Sequence, residues 1–155
     1  GGKMLTTVTF DGFTPATIPH RFEAGTPNIA GVIAFNATLQ WLNQQDMLKA
    51  NQYAVELADY AEKRLGELTG FISYRARHSP ILSFNFSGIH HSDLATLVSE
   101  SGIALRTGQH CAQPLIDALH ISGCLRVSFM PYNQFSDIDK LIDAINFALT
   151  LLNDE

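Results

Sequence analysis

Ile81-Leu82-Ser83-Phe84-Asn85-Phe86-Ser87 sets apolar Leu82, Phe84 and Phe86 against polar Ser83, Asn85 and Ser87. That period of two is the pattern of a strand with one buried face. Cys124 to Phe129 repeats the alternation, and Phe71 to Tyr74 and Ile103 to Leu105 read as shorter strands. A half-buried sheet needs a cover, and the remaining segments carry apolar residues at helical spacing. Ile29 to Gln44 presents Val32, Phe35, Leu39 and Leu42. A second helix, capped by Asp46, runs through Leu48, Val55, Leu57, Ala58, Ala61, Leu65 and Leu68 until Gly70 stops it. Ser92 to Ser101 forms a third, with Leu94, Leu97 and Val98 inward, and a short helix starts at about Pro114 and ends near Leu119. Ser136 with Asp139 resembles a helix-start box ahead of Ile138, Leu141, Ile142, Ile145, Leu149 and Leu152. These elements predict an α+β fold, a small and mainly antiparallel sheet covered on one face by helices.

Residues 1–28 stand outside this pattern. Gly1-Gly2, Asp11-Gly12, Pro15, Pro19, Gly25 and Pro27 forbid a long helix there. The segment reads as an extended arm whose backbone polar groups need partners beyond itself. The expected organisation is thus an arm over residues 1–28 and an α+β domain over 29–155. A length of 155 residues suits one domain, and 46% hydrophobic against 16% charged residues excludes a disordered chain. Ten basic and fifteen acidic residues, net charge −5, argue against nucleic acid or an anionic membrane as partner. Apolar runs such as Ile103 to Leu105 fall far short of the roughly 20 residues of a membrane span. Two cysteines and no signal-peptide pattern favour the cytoplasm.

Cys111 lies outside any apolar periodicity, in the polar stretch Arg106-Thr107-Gly108-Gln109-His110-Cys111. A loop position with a basic neighbour and a following helix N-terminus is a setting for thiolate chemistry; an inert surface thiol is the plainer reading. Cys124, opening a strand beside Leu125, reads as a small packed residue. Neither Cys-x-x-Cys nor His-x-x-x-His spacing is present, so no metal site is expected. Arg126 stands mid-strand between Leu125 and Val127 and must face away from both. It either pairs with a carboxylate of the protein or receives one from a ligand, for which its planar fork is suited. His20, His78, His90 and His91 read as ordinary exposed histidines. In Arg21-Phe22-Glu23-Ala24-Gly25-Thr26-Pro27-Asn28, Thr26 or Asn28 caps the first helix, and the same turn suits a phosphate.

Those last segments carry a resemblance. Residues 21–28, the run Arg106 to Pro114, Arg126-Val127-Ser128-Phe129 and Pro131-Tyr132-Asn133 resemble, in order, the C-terminal part of the cysteine desulfurase and selenocysteine lyase family. These are class V aminotransferase-like enzymes, and the pattern includes cysteine sulfinate desulfinase-type members. The resemblance implies the small C-terminal domain of a fold-type I enzyme that uses pyridoxal 5'-phosphate. It makes Cys111 the nucleophile that carries substrate sulfur or selenium as a persulfide, releasing alanine. It makes Arg126 the holder of the substrate carboxylate, with Arg106 in the same pocket, and gives His110 a part in proton transfer. Thr26 matches a residue reaching the cofactor phosphate of the neighbouring subunit in a homodimer, and Gly2 a glycine turn near that interface. Cysteine, selenocysteine or cysteine sulfinate is the implied substrate, and a sulfur-acceptor protein the implied partner. The family's imine-forming lysine belongs to a larger preceding domain, and Lys3, Lys49, Lys63 and Lys140 do not stand in its His-Lys context. The expectation is a fragment inactive by itself; the alternative is a stand-alone sulfur-carrier or thiol-regulatory module without cofactor.

Overall fold

The computed structural model describes residues 3–153. Two compact units divide it at Asp46/Met47. In the first, β1 (Leu5–Thr9) and β2 (Gly12–Pro15) form an antiparallel hairpin, followed by a 3-10 turn at His20–Phe22 and helix α1 (Ile29–Leu42). The arm anticipated as merely extended therefore pairs with itself over its first half. Asn28, not Thr26, caps α1, its side-chain oxygen accepting from the Gly31 N–H at 3.0 Å. A Cβ at Gly31 would strike the Asn28 side chain, so the cap depends on that glycine. The contacts group α1 with the hairpin.

The second unit is built on a sheet of order β3-β4-β6-β5, every pair antiparallel. Its strands are β3 (Phe71–Ser73), β4 (Ile81–Phe86), β5 (Arg106–Gly108) and β6 (Cys124–Ser128). Helices α2 (Met47–Leu65), α3 (His91–Glu100) and α5 (Phe135–Asn153) supply the cover, and α4 (Gln113–Ala118) is a short helix between β5 and β6. The alternation predicted for β4 holds: Leu82, Phe84 and Phe86 are buried, and they pack with Leu57, Leu65, Leu94, Val98, Leu125, Ile138 and Ile145. Phe71, Phe84 and Phe86 meet ring to ring at centroid distances of 5.8–6.1 Å, which adds to the area they bury.

Two expectations need correction. Ile103 to Leu105 is not a strand; the ladder lies three residues later, with Arg106, Thr107 and Gly108 opposite Arg126, Leu125 and Cys124. Ile103 and Leu105 pack against the core without pairing, and burial and hydrogen bonding leave the same alternating trace in a sequence. The start of α5 also lies earlier than the Ser136–Asp139 box. Asp137 accepts from the Gln134 N–H at 3.0 Å while Asp137 N–H donates back to the Gln134 carbonyl at 3.0 Å. Asp139 instead ties α5 to α2, accepting from Arg64 Nη1 and Tyr60 Oη, each at 2.8 Å.

Candidate active site

Because side chains alternate along a strand, the β5–β6 register separates two sets of residues. Thr107 and Leu125 face the helices. Arg106 and Arg126, directly opposite one another, face the other way together with Ser83, the β4 partner of Arg126. Two like charges placed opposite on adjacent strands repel, and neither guanidinium forms an ion pair among the described residues. Arg126 Nε is in addition buried without a hydrogen-bond acceptor. An unpaired buried donor on a cation is costly, and a carboxylate bound there would relieve both penalties.

Beyond Gly108 (φ +106°) the chain turns through His110 and Cys111, both at φ +57°, with Ala112 N–H donating to the Gln109 carbonyl at 3.0 Å. Left-handed backbone is uncommon for residues other than glycine, and here it recurs at two successive positions. Cys111 is exposed, with its Sγ 4.0 Å from Arg106 Nη2. His110 folds inward: its Nε2 donates to the Cys124 carbonyl at 3.0 Å. A carbonyl only accepts, so the proton sits on Nε2 and Nδ1 is left as an acceptor. That Nδ1 is buried and unpartnered. Burial pushes the His110 pKa down, and the charges of Arg126 and Arg106 push the same way against the Cys124 bond, so the ring is neutral at pH 7.

A pocket of about 540 Å³ opens on this side of the sheet, lined by Tyr74, Ser83, His110, Leu115, Cys124 and Arg126 among others. Cys124 is buried, and desolvation pushes its thiol pKa up despite Ser83 and Arg126. It is a packed residue, as its sequence context suggests. Both cysteines are free, and no cluster of three or more His, Cys, Asp or Glu suited to a metal occurs among the described residues. Arg75 also borders the pocket, but its guanidinium is committed to Asp59 at 2.5 Å, Glu62 at 2.9 Å and the Ser79 carbonyl at 2.8 Å. Among the described residues, no lysine lines the pocket. No described helix is long and apolar enough to cross a membrane.

The structure thus brings Cys111, Arg106, Arg126 and His110 into one neighbourhood. Thr26 is exposed in the first unit, between Gly25 (φ +76°) and the Asn28 cap, and Gly2 lies outside the described residues. Sequence reasoning missed His91, taken there for an ordinary exposed histidine. It is buried, and its Nδ1 lies 2.8 Å from Thr107 Oγ1. Position after His90 at a helix start carries no signal for this; only the proximity of α3 and β5 does.

Burial is the main force lowering the pKa of His91, aided by His90 and His110 and opposed by Asp93. His91 and His110 therefore bind protons less readily folded than unfolded. Between their lowered values and the ordinary value of about 6.5 the unfolded chain holds more protons, so stability rises with pH across that window. Acidification from about pH 7.5 to about pH 5.5 is expected to lower the urea midpoint, and His91→Asn to shrink that loss.

Comparison with known proteins bears on this arrangement. The family described as aminotransferase class-V matches residues 1–141. The chain is 52% identical over 154 residues to the cysteine desulfurase CsdA of Escherichia coli (strain K12), covering 99% of the chain and 38% of that protein. It is 38% identical to a cysteine desulfurase of Haloferax volcanii, covering 97% of the chain and 36% of that protein. The crystal structure of the E. coli CsdA superposes with a TM-score of 0.85 at 51% identity, over 97% of this chain and 38% of that one. The apo cysteine desulfurase of Thermococcus onnurineus gives 0.80 at 30% identity, over 97% and 38%. The chain spans little more than a third of the length of these relatives.

Proposed function

Since the chain belongs to the aminotransferase class-V family, we propose that it is the C-terminal part of a cysteine desulfurase, with Cys111 as its sulfur carrier. The carrying observation is the pair of cross-strand arginines without carboxylate partners, one of them 4.0 Å from the exposed Cys111 sulfur. Arg126, backed by Arg106, receives the carboxylate of a cysteine-type substrate, whether cysteine, selenocysteine or cysteine sulfinate. With cysteine, the Cys111 thiolate then attacks the substrate sulfur: an S–S bond forms, the Cβ–S bond breaks, and its electron pair stays on Cβ, which is protonated and leaves as alanine. For cysteine the balance is thiol plus cysteine giving persulfide plus alanine, with no external oxidant or reductant. His110, whose Nδ1 is left as an acceptor, is proposed to take up a proton in this sequence.

Pyridoxal 5'-phosphate in the full-length enzyme would supply the electron sink for the carbon centre. Its covalent attachment is proposed to belong to a preceding part of the enzyme, and this chain alone is expected to be inactive. The exposed Thr26 hydroxyl fits a phosphate oxygen chemically and is proposed, with Gly2, for the cofactor of a partner subunit. A homodimer agrees with the exposed apolar residues of the first unit, Val8, Phe10, Phe13, Val32, Ile33 and Phe35, which a solvated surface does not favour. The persulfide is handed to an acceptor protein, and the site of action is proposed to be the cytoplasm.

The test is intact and peptide-level mass spectrometry of the full-length enzyme, cofactor-loaded and incubated with cysteine. One added sulfur on the Cys111 peptide is expected. No added sulfur with the cofactor demonstrably bound would overturn the desulfurase reading. Sulfur acquired without cofactor from a persulfide donor, but never from cysteine, would favour the carrier module instead.

A further inference from the structure

His91 opens α3 and is the only polar residue buried as a whole among the described residues, 8% exposed. Its Nδ1 is 2.8 Å from Thr107 Oγ1 on β5 and 3.2 Å from Ser92 Oγ. On its other side stands Gly123, where a Cβ would lie 2.5 Å from His91 Nε2 and 3.0 Å from the Gly108 carbonyl carbon. The imidazole therefore fills the space that a side chain at Gly123, just before β6, would need, and Gly123 in turn lies against the backbone of Gly108, which ends β5. Both strand ends feed the site. Gly108 leads into Gln109-His110-Cys111, and Gly123 precedes Cys124, whose carbonyl holds the His110 ring.

We propose that His91 is a positioning residue for Cys111: bonded to Thr107 and wedged against Gly123, it fixes where the cysteine loop leaves the sheet. It touches neither substrate nor cofactor and acts through the β5–β6 ends. Its consequence for turnover rests on the desulfurase reading, but its geometric content does not. The bond ties the helix-facing Thr107 to α3, while its neighbour Arg106 points to the opposite side, toward Arg126 and Cys111. A slip of the β5 end on the helix side thus displaces the thiol relative to Arg126 on β6, and a misplacement of about 1 Å costs up to about a hundredfold in rate.

Three variants of the full-length, cofactor-loaded enzyme test this. His91→Leu keeps bulk and loses the bond, Thr107→Val removes the hydroxyl partner at equal volume, and His91→Asn keeps a polar atom near the position of Nδ1. Single-turnover persulfide formation on Cys111 is expected to fall about tenfold in His91→Leu and in Thr107→Val, with KM for cysteine changed less than about twofold. The double variant should be no slower than either single one, because both remove the same bond. His91→Asn should recover most of the rate. Alkylation of Cys111 by iodoacetamide is measured in the same proteins and is expected to change in His91→Leu and Thr107→Val alone. Equal alkylation and persulfide rates in all variants would overturn the proposal, and so would a loss in His91→Leu that His91→Asn fails to restore. If the wild type forms no persulfide although cofactor is bound, the desulfurase reading fails, while altered alkylation in the variants still upholds the positioning role.

Discussion

Cys111→Ser in the full-length enzyme is expected to reduce sulfur transfer from cysteine by on the order of a thousandfold or more, while leaving stability within about 0.5 kcal/mol. The hydroxyl keeps nearly the shape of the thiol but is a far weaker nucleophile toward sulfur, and it forms no persulfide. The thiol is exposed and its one contact of note is Arg106 Nη2 at 4.0 Å, so little packing is lost. The two checks are alanine release from cysteine under steady state and thermal unfolding of the same preparation. Unchanged alanine and sulfide release in the variant would move the nucleophile elsewhere. Loss of activity accompanied by a large fall in Tm would make Cys111 a structural residue instead.

On the proposed reading, Arg126→Leu is expected to lower kcat/KM for cysteine by roughly a hundredfold, mostly through KM, because the substrate carboxylate would lose its half-buried charged partner. The same substitution removes the repulsion between Arg106 and Arg126 across β5 and β6 and the unpartnered buried Nε. The unfolding midpoint should therefore stay level or rise as activity falls, the opposite of what loss of a structural ion pair gives. Arg126→Lys should rescue little, since a point charge does not reproduce the planar two-donor fork. A falling midpoint with unchanged KM would show that Arg126 serves the sheet and not a ligand.

Much of the second unit was legible because its patterns are local. The alternation of Ile81 to Phe86, the apolar stripe from Leu57 to Leu65 and the spacing of Ile138, Leu141, Ile142 and Ile145 each reflect one face of one element against a common core. Boundaries were less legible. Asp137 and Asp139 are both acidic residues near a helix start, and only Arg64 and Tyr60, brought up by α2, determine which of them serves the cap and which the ion pair. The ladder of β5 was misplaced for a related reason: Ile103 and Leu105 are apolar enough for a strand, but the hydrogen-bonding partners on β6 lie opposite Arg106 to Gly108. For the candidate site, the family resemblance singled out Cys111, Arg106, Arg126 and His110, and their spatial convergence was invisible to spacing alone.

By itself the sequence determined the α+β class, the half-buried sheet and the family, because hydrophobic periodicity and contiguous motifs survive in one dimension. Tertiary structure decided that Arg126 faces Arg106 instead of a carboxylate, that His110 Nε2–H donates a hydrogen bond to the Cys124 carbonyl, and that the buried His91 stands between Thr107 and Gly123. Each of these depends on which residues from separate segments become neighbours across a strand register, and a register is fixed only when the core on the other side of the sheet is packed.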